Sequence, residues 1–286
     1  MSDRSLLRRA VVLAALAEGV LCLMDALIKT LTVRYPVLEI AFLRFVAGSV
    51  WAMIAFFAQA PEWPSRDTLR YNSLRSVLAV GAAGSFFYAL SVLPMAEVMA
   101  LSFIAPVFIA MFGVVLLKER FDPRLGFALA AGLVGMYIIV GGQFGARPYS
   151  ADAWLGAAAV IVSSVFYALV IIILRARANR DPLPTIVLLQ NVIPALVLAI
   201  PGLYVWTWIT AADVLVFGLI GILGVGGHTL LAHAFRRAEA ARLAPVHYMV
   251  LVWGTIYGWM FFGDVPGLTT LIGAAFIVGA TLLMRR

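Results

Sequence analysis

Ten apolar runs of about 20 residues occupy nearly the whole sequence, and no other feature limits the fold as much. They cover 10–31, 37–58, 73–91, 94–116, 124–142, 152–175, 184–203, 213–234, 243–262 and 266–284. A helix needs about 20 mostly apolar residues to cross a hydrocarbon core about 30 Å thick. Within lipid, each backbone polar group must find a partner inside the protein, which a helix supplies from its own segment. Pro36, Pro61, Pro64, Pro94, Pro123, Pro148, Pro182, Pro184 and Pro266 stand at the junctions, where proline turns the preceding residue away from helix. Composition closes the alternatives: 64% of the 286 residues are apolar and 12% charged. No soluble core hides that much apolar surface in so short a chain. A soluble enzyme, a disordered chain and a disulfide-stapled secreted domain are excluded, and the single Cys22 leaves no internal disulfide. The expected fold is all-α, an integral membrane protein of ten transmembrane helices. The first run carries Glu18 and Asp25 and is too long for the apolar part of a leader peptide, so it reads as the first helix.

The basic residues sit between runs and so report topology. With the N-terminus in the cytoplasm, seventeen fall inside: Arg4, Arg8, Arg9; Arg66, Arg70, Arg75; Lys118, Arg120, Arg124; Arg175, Arg177, Arg180; Arg236, Arg237, Arg242; Arg285 and Arg286. Only Lys29, Arg34 and Arg147 fall outside, and Arg44 lies within the second run. That bias predicts both termini in the cytoplasm. It also argues against nucleic-acid binding, where the charge would gather in one stripe.

The chain repeats itself. At an offset of 145, Leu78-x-Val80-Gly81 falls on Leu223-x-Val225-Gly226, Tyr88-Ala89 on His233-Ala234, and Glu119 on Asp264. At an offset of 146, Lys29 falls on Arg175, Pro36 on Pro182, Leu43 on Leu189 and Arg44 on Gln190. Gly126 and Gly132 follow on Gly273 and Gly279. Each copy has five runs, an odd number, so the second enters the membrane upside down. The expected organisation is two inverted five-helix repeats, 1–146 and 147–286, with a substrate chamber near the midplane where they meet.

Run 2 reads Pro36-Val-Leu-Glu-Ile-Ala-Phe-Leu-Arg44-Phe. Run 4 carries Ala105-Pro106 and closes on Leu116-Leu117-Lys118-Glu119-Arg120, and Gly126-x5-Gly132 follows. These motifs resemble the EamA type of the drug/metabolite transporter superfamily, over the whole chain. The resemblance implies secondary export of small metabolites, neutral and aromatic amino acids among them, across a bacterial inner membrane. The second copy departs from it, with Gln190 in place of the arginine and Asp264 in place of the glutamate.

Ionisable groups inside a bilayer are costly and face an interior or a water-filled cavity. Glu18 and Asp25, seven residues apart, share a helix face. They read as a proton-coupling or substrate-amine site, or as a structural pair with Arg44. Arg44 suits a substrate carboxylate, or equally a pair with Glu18, Asp25 or Glu39. Glu39 and Glu97 open their runs and read as solvated carboxylates that suit a helix N-terminus. Glu119 reads as a gate or loop contact. His228 and His233, five apart, diverge by about 140° on a helix and form no shared metal site; these two and His247 read as cavity groups or as interhelical hydrogen-bond partners. Tyr88, Tyr167, Tyr248, Trp253 and Tyr257 lie within runs, so they line a pocket or pack. Trp51, Trp63, Trp154, Trp206 and Trp208 suit the interfacial belts. Ser102 and Gln190 complete the cavity candidates. Gly81, Gly84, Gly226, Gly227, Pro106 and Pro245 are the hinge candidates, although small residues also permit close helix packing.

No P-loop, nucleophile elbow, zinc-helicase motif or paired cysteine ligands occur. The expectation is therefore a monomeric carrier, not an enzyme, with no cofactor or metal. Its partners are a small-molecule substrate, membrane lipid and, if export is coupled, protons. Runs 1–4 and 6–9 line the cavity, with runs 5 and 10 peripheral. The same fold would also serve cationic drugs, nucleotides or sugar-type metabolites. A non-transporting membrane protein is the remaining alternative.

Overall fold

The structure, a computed structural model, describes residues 3–59, 62–92, 98, 101–120, 123–141, 151–263, 268, 271–273, 275, 276 and 279. Among these the regular structure is entirely helical. The helices are α1 (Asp3–Leu31), α2 (Val37–Gln59), α3 (Arg66–Val92), α4 (Ala105–Leu117), α5 (Pro123–Gly141), α6 (Ala151–Arg177), α7 (Leu183–Tyr204), α8 (Ala211–Phe235) and α9 (Met249–Phe262). By length and apolar composition α1, α2, α6, α7 and α8 are each able to cross a membrane, and α4 is a shorter apolar helix. Glu97, Asp264, Pro94, Pro148, Pro266 and most of the tenth run lie outside the described residues.

Two helix boundaries differ from the sequence reading, each for a local reason. The third helix starts at Arg66 rather than near 73. Its polar first turns are capped by Ser65, whose Oγ accepts from the Thr68 amide at 3.1 Å. The ninth run does not open as one helix. A single turn, Ala240–Leu243, passes into a 3-10 segment, Ala244–Tyr248, before α9. Pro245 has no amide to donate to the ladder, and the segment tightens.

The pairings between helices come as symmetry mates. In the expected alignment α1 corresponds to α6, α2 to α7, α3 to α8 and α4 to α9. α1 packs on α8 as α6 packs on α3, and α2 on α8 as α7 on α3. Likewise α4 packs on α6 as α9 packs on α1, while α2 and α7 pack on each other. The extensive contacts therefore cross between repeats, as an inverted pair meeting at a two-fold axis requires.

Polar contacts pin both ends of these cross-repeat pairs. At one end Asp213, in the first turn of α8, accepts from Tyr35 (2.7 Å) and Arg34 (2.9 Å), and Thr210 caps the helix. At the other, the Asp181 carboxylate takes a bidentate fork from Arg177 (2.9 and 2.6 Å) and bonds from Asn72 (2.9 Å) and Thr68 (3.0 Å). The two sites are mates: Tyr35 corresponds to Asp181, Asp213 to Thr68, and Thr210 to Ser65. The carboxylate has changed sides of the contact. Burial opposes the Asp181 charge, but the Arg177, Asn72 and Thr68 hydrogen bonds outweigh it and hold the carboxyl below the usual carboxylate range.

Among the described residues the apolar core falls into several clusters. At the basic end, where Arg175, Arg177 and Arg236 lie, one continuous cluster joins α1, α4, α6, α8 and the stretch 240–251, including Val11, Phe103, Ala110, Ile171, Phe235 and Tyr248. Smaller clusters of described residues lie toward the distal end. Met24, Ile28, Ile40 and Phe217 tie α1, α2 and α8, while Ala89 and Val160 tie α3 to α6.

Candidate functional site

Mid-depth charges gather where the repeats face each other. From α1, Glu18, Cys22 and Asp25 project at intervals of four and three residues, on one face. Glu18 Oε1 lies 3.0 Å from His247 Nδ1, with both side chains largely buried. His247 belongs to the 3-10 segment, so the break at Pro245 is what delivers this ring to α1. Its ring centroid is 5.1 Å from that of Tyr167 on α6. A void of about 10 Å³ adjoins Glu18, Tyr167 and His247, room for about one water.

Above this pair, Trp253 donates its indole N–H to the Ala15 carbonyl at 2.9 Å and stacks on Tyr257. Gly19 makes that approach possible, because a Cβ there would stand 2.7 Å from the indole. Asp25 lies within electrostatic reach of both Arg44 and Glu18. Arg44 directs its Nε at the Met24 sulfur (3.4 Å) and lies over the Phe45 ring (4.7 Å to centroid). Among the described residues neither Asp25 nor Arg44 has an ion-pair partner within 4 Å. His228 on α8 feels the charges of Arg44 and Arg75.

The fold thus brings together Glu18, Asp25, Arg44, Tyr167, His228 and Trp253 from the sequence candidates, and adds His247 as the partner of Glu18. Two of the other candidates, Tyr248 and His233, sit elsewhere. Tyr248, expected on the cavity, is fully buried in the basic-end core, stacked on Phe103 with its hydroxyl directed at the Leu129 carbonyl (3.5 Å). His233 stands at the basic end of α8 beside Arg237. Gln190 is buried in α7, Tyr88 on α3 is 43% exposed, and Ser102 precedes α4 half-buried. Of the hinge candidates, Gly227 and Gly81 are close-packing sites, where a Cβ would stand 2.7 Å from Leu21 and 3.0 Å from Phe166. Gly84 and Gly226 border open space. Pro106 sits at the start of α4.

Two charged residues correct the sequence reading. Glu39 is not solvated: it is fully buried and accepts from the Thr207 amide (3.1 Å) and hydroxyl (2.8 Å). Arg75, counted among the loop cations, is 1% exposed between α3 and α7. Its Nη2 donates to the Ile186 carbonyl at 2.9 Å, while Nε and Nη1 have no hydrogen-bond partner among the described residues. Its place near the end of an apolar run concealed it.

Glu119 closes the basic end. The left-handed Lys118 (φ 55°) ends α4 and turns the chain back. Glu119 then accepts from the amides of Ala240 (3.0 Å) and Ala241 (2.9 Å) and pairs with Arg175 (3.3 Å). One carboxylate joins α4 of the first repeat to α6 and the pre-α9 turn of the second.

Known proteins agree with this architecture. The chain is 29% identical to the pseudopaline exporter CntI of Pseudomonas aeruginosa, over 98% of this chain and 97% of that one. It is 26% identical to the S-adenosylmethionine uptake transporter of Rickettsia bellii, over 91% and 87% of the two chains. It is also 26% identical to the riboflavin transporter of Brucella anthropi, over 88% of each. A crystal structure with 19% sequence identity superposes with a TM-score of 0.79, covering 94% of this chain and 97% of that one. The EamA-like transporter family matches twice, over residues 8–141 and 154–286, and the chain belongs to that family.

Proposed function

We propose that this carrier exports small metabolites with an amino-acid end, neutral and aromatic amino acids among them, from the bacterial cytoplasm across the inner membrane by alternating access. The observation that carries the reading is the pair of opposite charges Asp25 on α1 and Arg44 on α2, within electrostatic reach of each other and with no ion-pair partner within 4 Å among the described residues. A zwitterion satisfies both, its carboxylate on the guanidinium and its ammonium on the aspartate. Trp253, Tyr257 and Tyr167 offer aromatic walls to an apolar side chain. The basic end is cytoplasmic on the arginine bias, as are both termini, and the protein works as a monomer. The Glu18–His247 pair bridges the repeats and is the place for a coupled proton.

Cells overproducing the protein, loaded with labelled amino acids and with the matching amino-acid amides, test this. Export of the acids and not of the amides supports it. Equal export of both, or of neither, overturns it. The buried Arg75 favours a second reading, an anionic organic substrate. In that case nucleotides or sugar phosphates leave the cell in place of amino acids.

A further inference from the structure

A cleft of about 380 Å³ opens at the basic end between α2, α7 and α8, away from the chamber. Ala52, Ala55, Val187 and Val225 give it an apolar lining, and Gln59, Thr229, His233 and Arg236 a polar one, with Pro182, Leu183 and Pro184 at the start of α7. Among the described residues no acidic side chain lines it. Arg236 gives its Nε and Nη2 to the Ala178 and Asp181 carbonyls and, among the described residues, has no carboxylate partner. Burial and the neighbouring Arg237 both oppose its positive charge. Thr229 and His233 stand seven and eleven residues beyond Ile222, on the α8 stripe that exposes Leu215, Leu219 and Ile222. The cleft therefore faces the surroundings of the protein rather than the space between the repeats.

The inverted symmetry does not require this cleft. Its mate at the distal end is filled. Ala52 corresponds to Leu198, Val187 to Ala41 and Val225 to Val80, and there Leu198, Ala41 and Val80 pack with Phe42, Phe45 and Phe87. The small Ala52 keeps open on one side what Leu198 closes on the other. An apolar floor, a basic rim and an outward opening at one end of the helices match a phospholipid in three respects. The floor takes acyl methylenes, the rim takes an anionic phosphate, and the opening lies at headgroup depth.

We propose that this cleft is a binding site for one anionic phospholipid of the cytoplasmic leaflet, its phosphate held by Arg236 and His233 and its chain laid along Ala52, Ala55 and Val225. The site is separate from the transport chamber and does not depend on the identity of the exported solute. The test uses the purified full-length protein in detergent. Phosphatidylglycerol, phosphatidylcholine and inorganic phosphate are titrated in turn, with bound lipid read by native mass spectrometry and stability by Tm. Phosphatidylglycerol is expected to remain bound and raise Tm by several degrees, with no effect from the other two. Ala55→Leu fills the floor and is expected to bind phosphatidylglycerol at least tenfold more weakly, with its lipid-free Tm unchanged. If Ala55→Leu lowers that Tm, Thr229→Leu is measured in its place. Equal binding of phosphatidylcholine overturns the proposal, as does a Tm shift with phosphate alone. So does undiminished phosphatidylglycerol binding by a folded variant with the cleft filled.

Discussion

Removal of Arg44 and removal of Glu18 read out separately. Arg44→Gln deletes the chamber guanidinium but keeps much of its bulk. A charge-assisted hydrogen bond contributes roughly 1.5–3 kcal/mol, so export of amino acids is expected to fall about 10- to 100-fold at unchanged membrane abundance. Initial efflux rates from preloaded cells measure this. Glu18→Gln removes the acid next to His247 and is expected to flatten the pH dependence of export, measured in proteoliposomes between pH 5.5 and 8.5. An unaltered pH profile would take the proton role away from the pair. Glu18, Asp25 and Arg44 were legible as costly charges in apolar runs. The partnership of Glu18 with His247 was not, because 229 positions separate them and only the 3-10 break brings the ring across.

Between elements, backbone approach and buried ion pairs decide the packing. Gly221 meets the Ala47 backbone, where a Cβ would stand 2.7 Å from the carbonyl carbon. Backbone cannot rotate out of the way as a side chain can. Gly221→Ala is expected to cost about 1–3 kcal/mol by overpacking, whereas Gly226→Ala, facing open space, should be neutral or slightly stabilising in its helix. Thermal unfolding of the two variants side by side checks the contrast. The Asp181 cluster adds a pH signature. A carboxyl held below its unfolded value stabilises the fold above that value, about 3.9, and the contribution is lost as pH falls through the lower folded value. Asp181→Asn should therefore lower Tm at pH 7, and the gap from the unmodified protein should narrow only below about pH 4. Constant separation of the two melting curves down to pH 3 would contradict this.

Across the whole molecule, the two polar pins are formed at once, Asp213 with Arg34 and Tyr35 at one end and Asp181 with Arg177 and Thr68 at the other. Gates that alternate would not both be closed, so these contacts are expected to hold α1 with α8 and α6 with α3 as units during transport. Glu119 makes a different kind of contact, joining α4 to α6 and to the turn before α9 at the basic end. Spin labels should report an α1–α8 distance that stays constant when substrate is added, and an α1–α6 distance at the distal end that shortens. A substrate-dependent change within the α1–α8 pair would show that the pins break during transport.

The membrane setting, the positions of the apolar runs and the duplication were written in the sequence, because lipid demands long apolar helices and a repeat preserves its spacing. The arginine bias carries the proposed orientation in the same way. Tertiary structure alone decided which helices touch, that Glu39 and Arg75 are buried, and that Glu18 meets His247. These depend on contacts between residues far apart in the chain. Hydropathy averages over each segment and has no information about which distant segment will cover a given face.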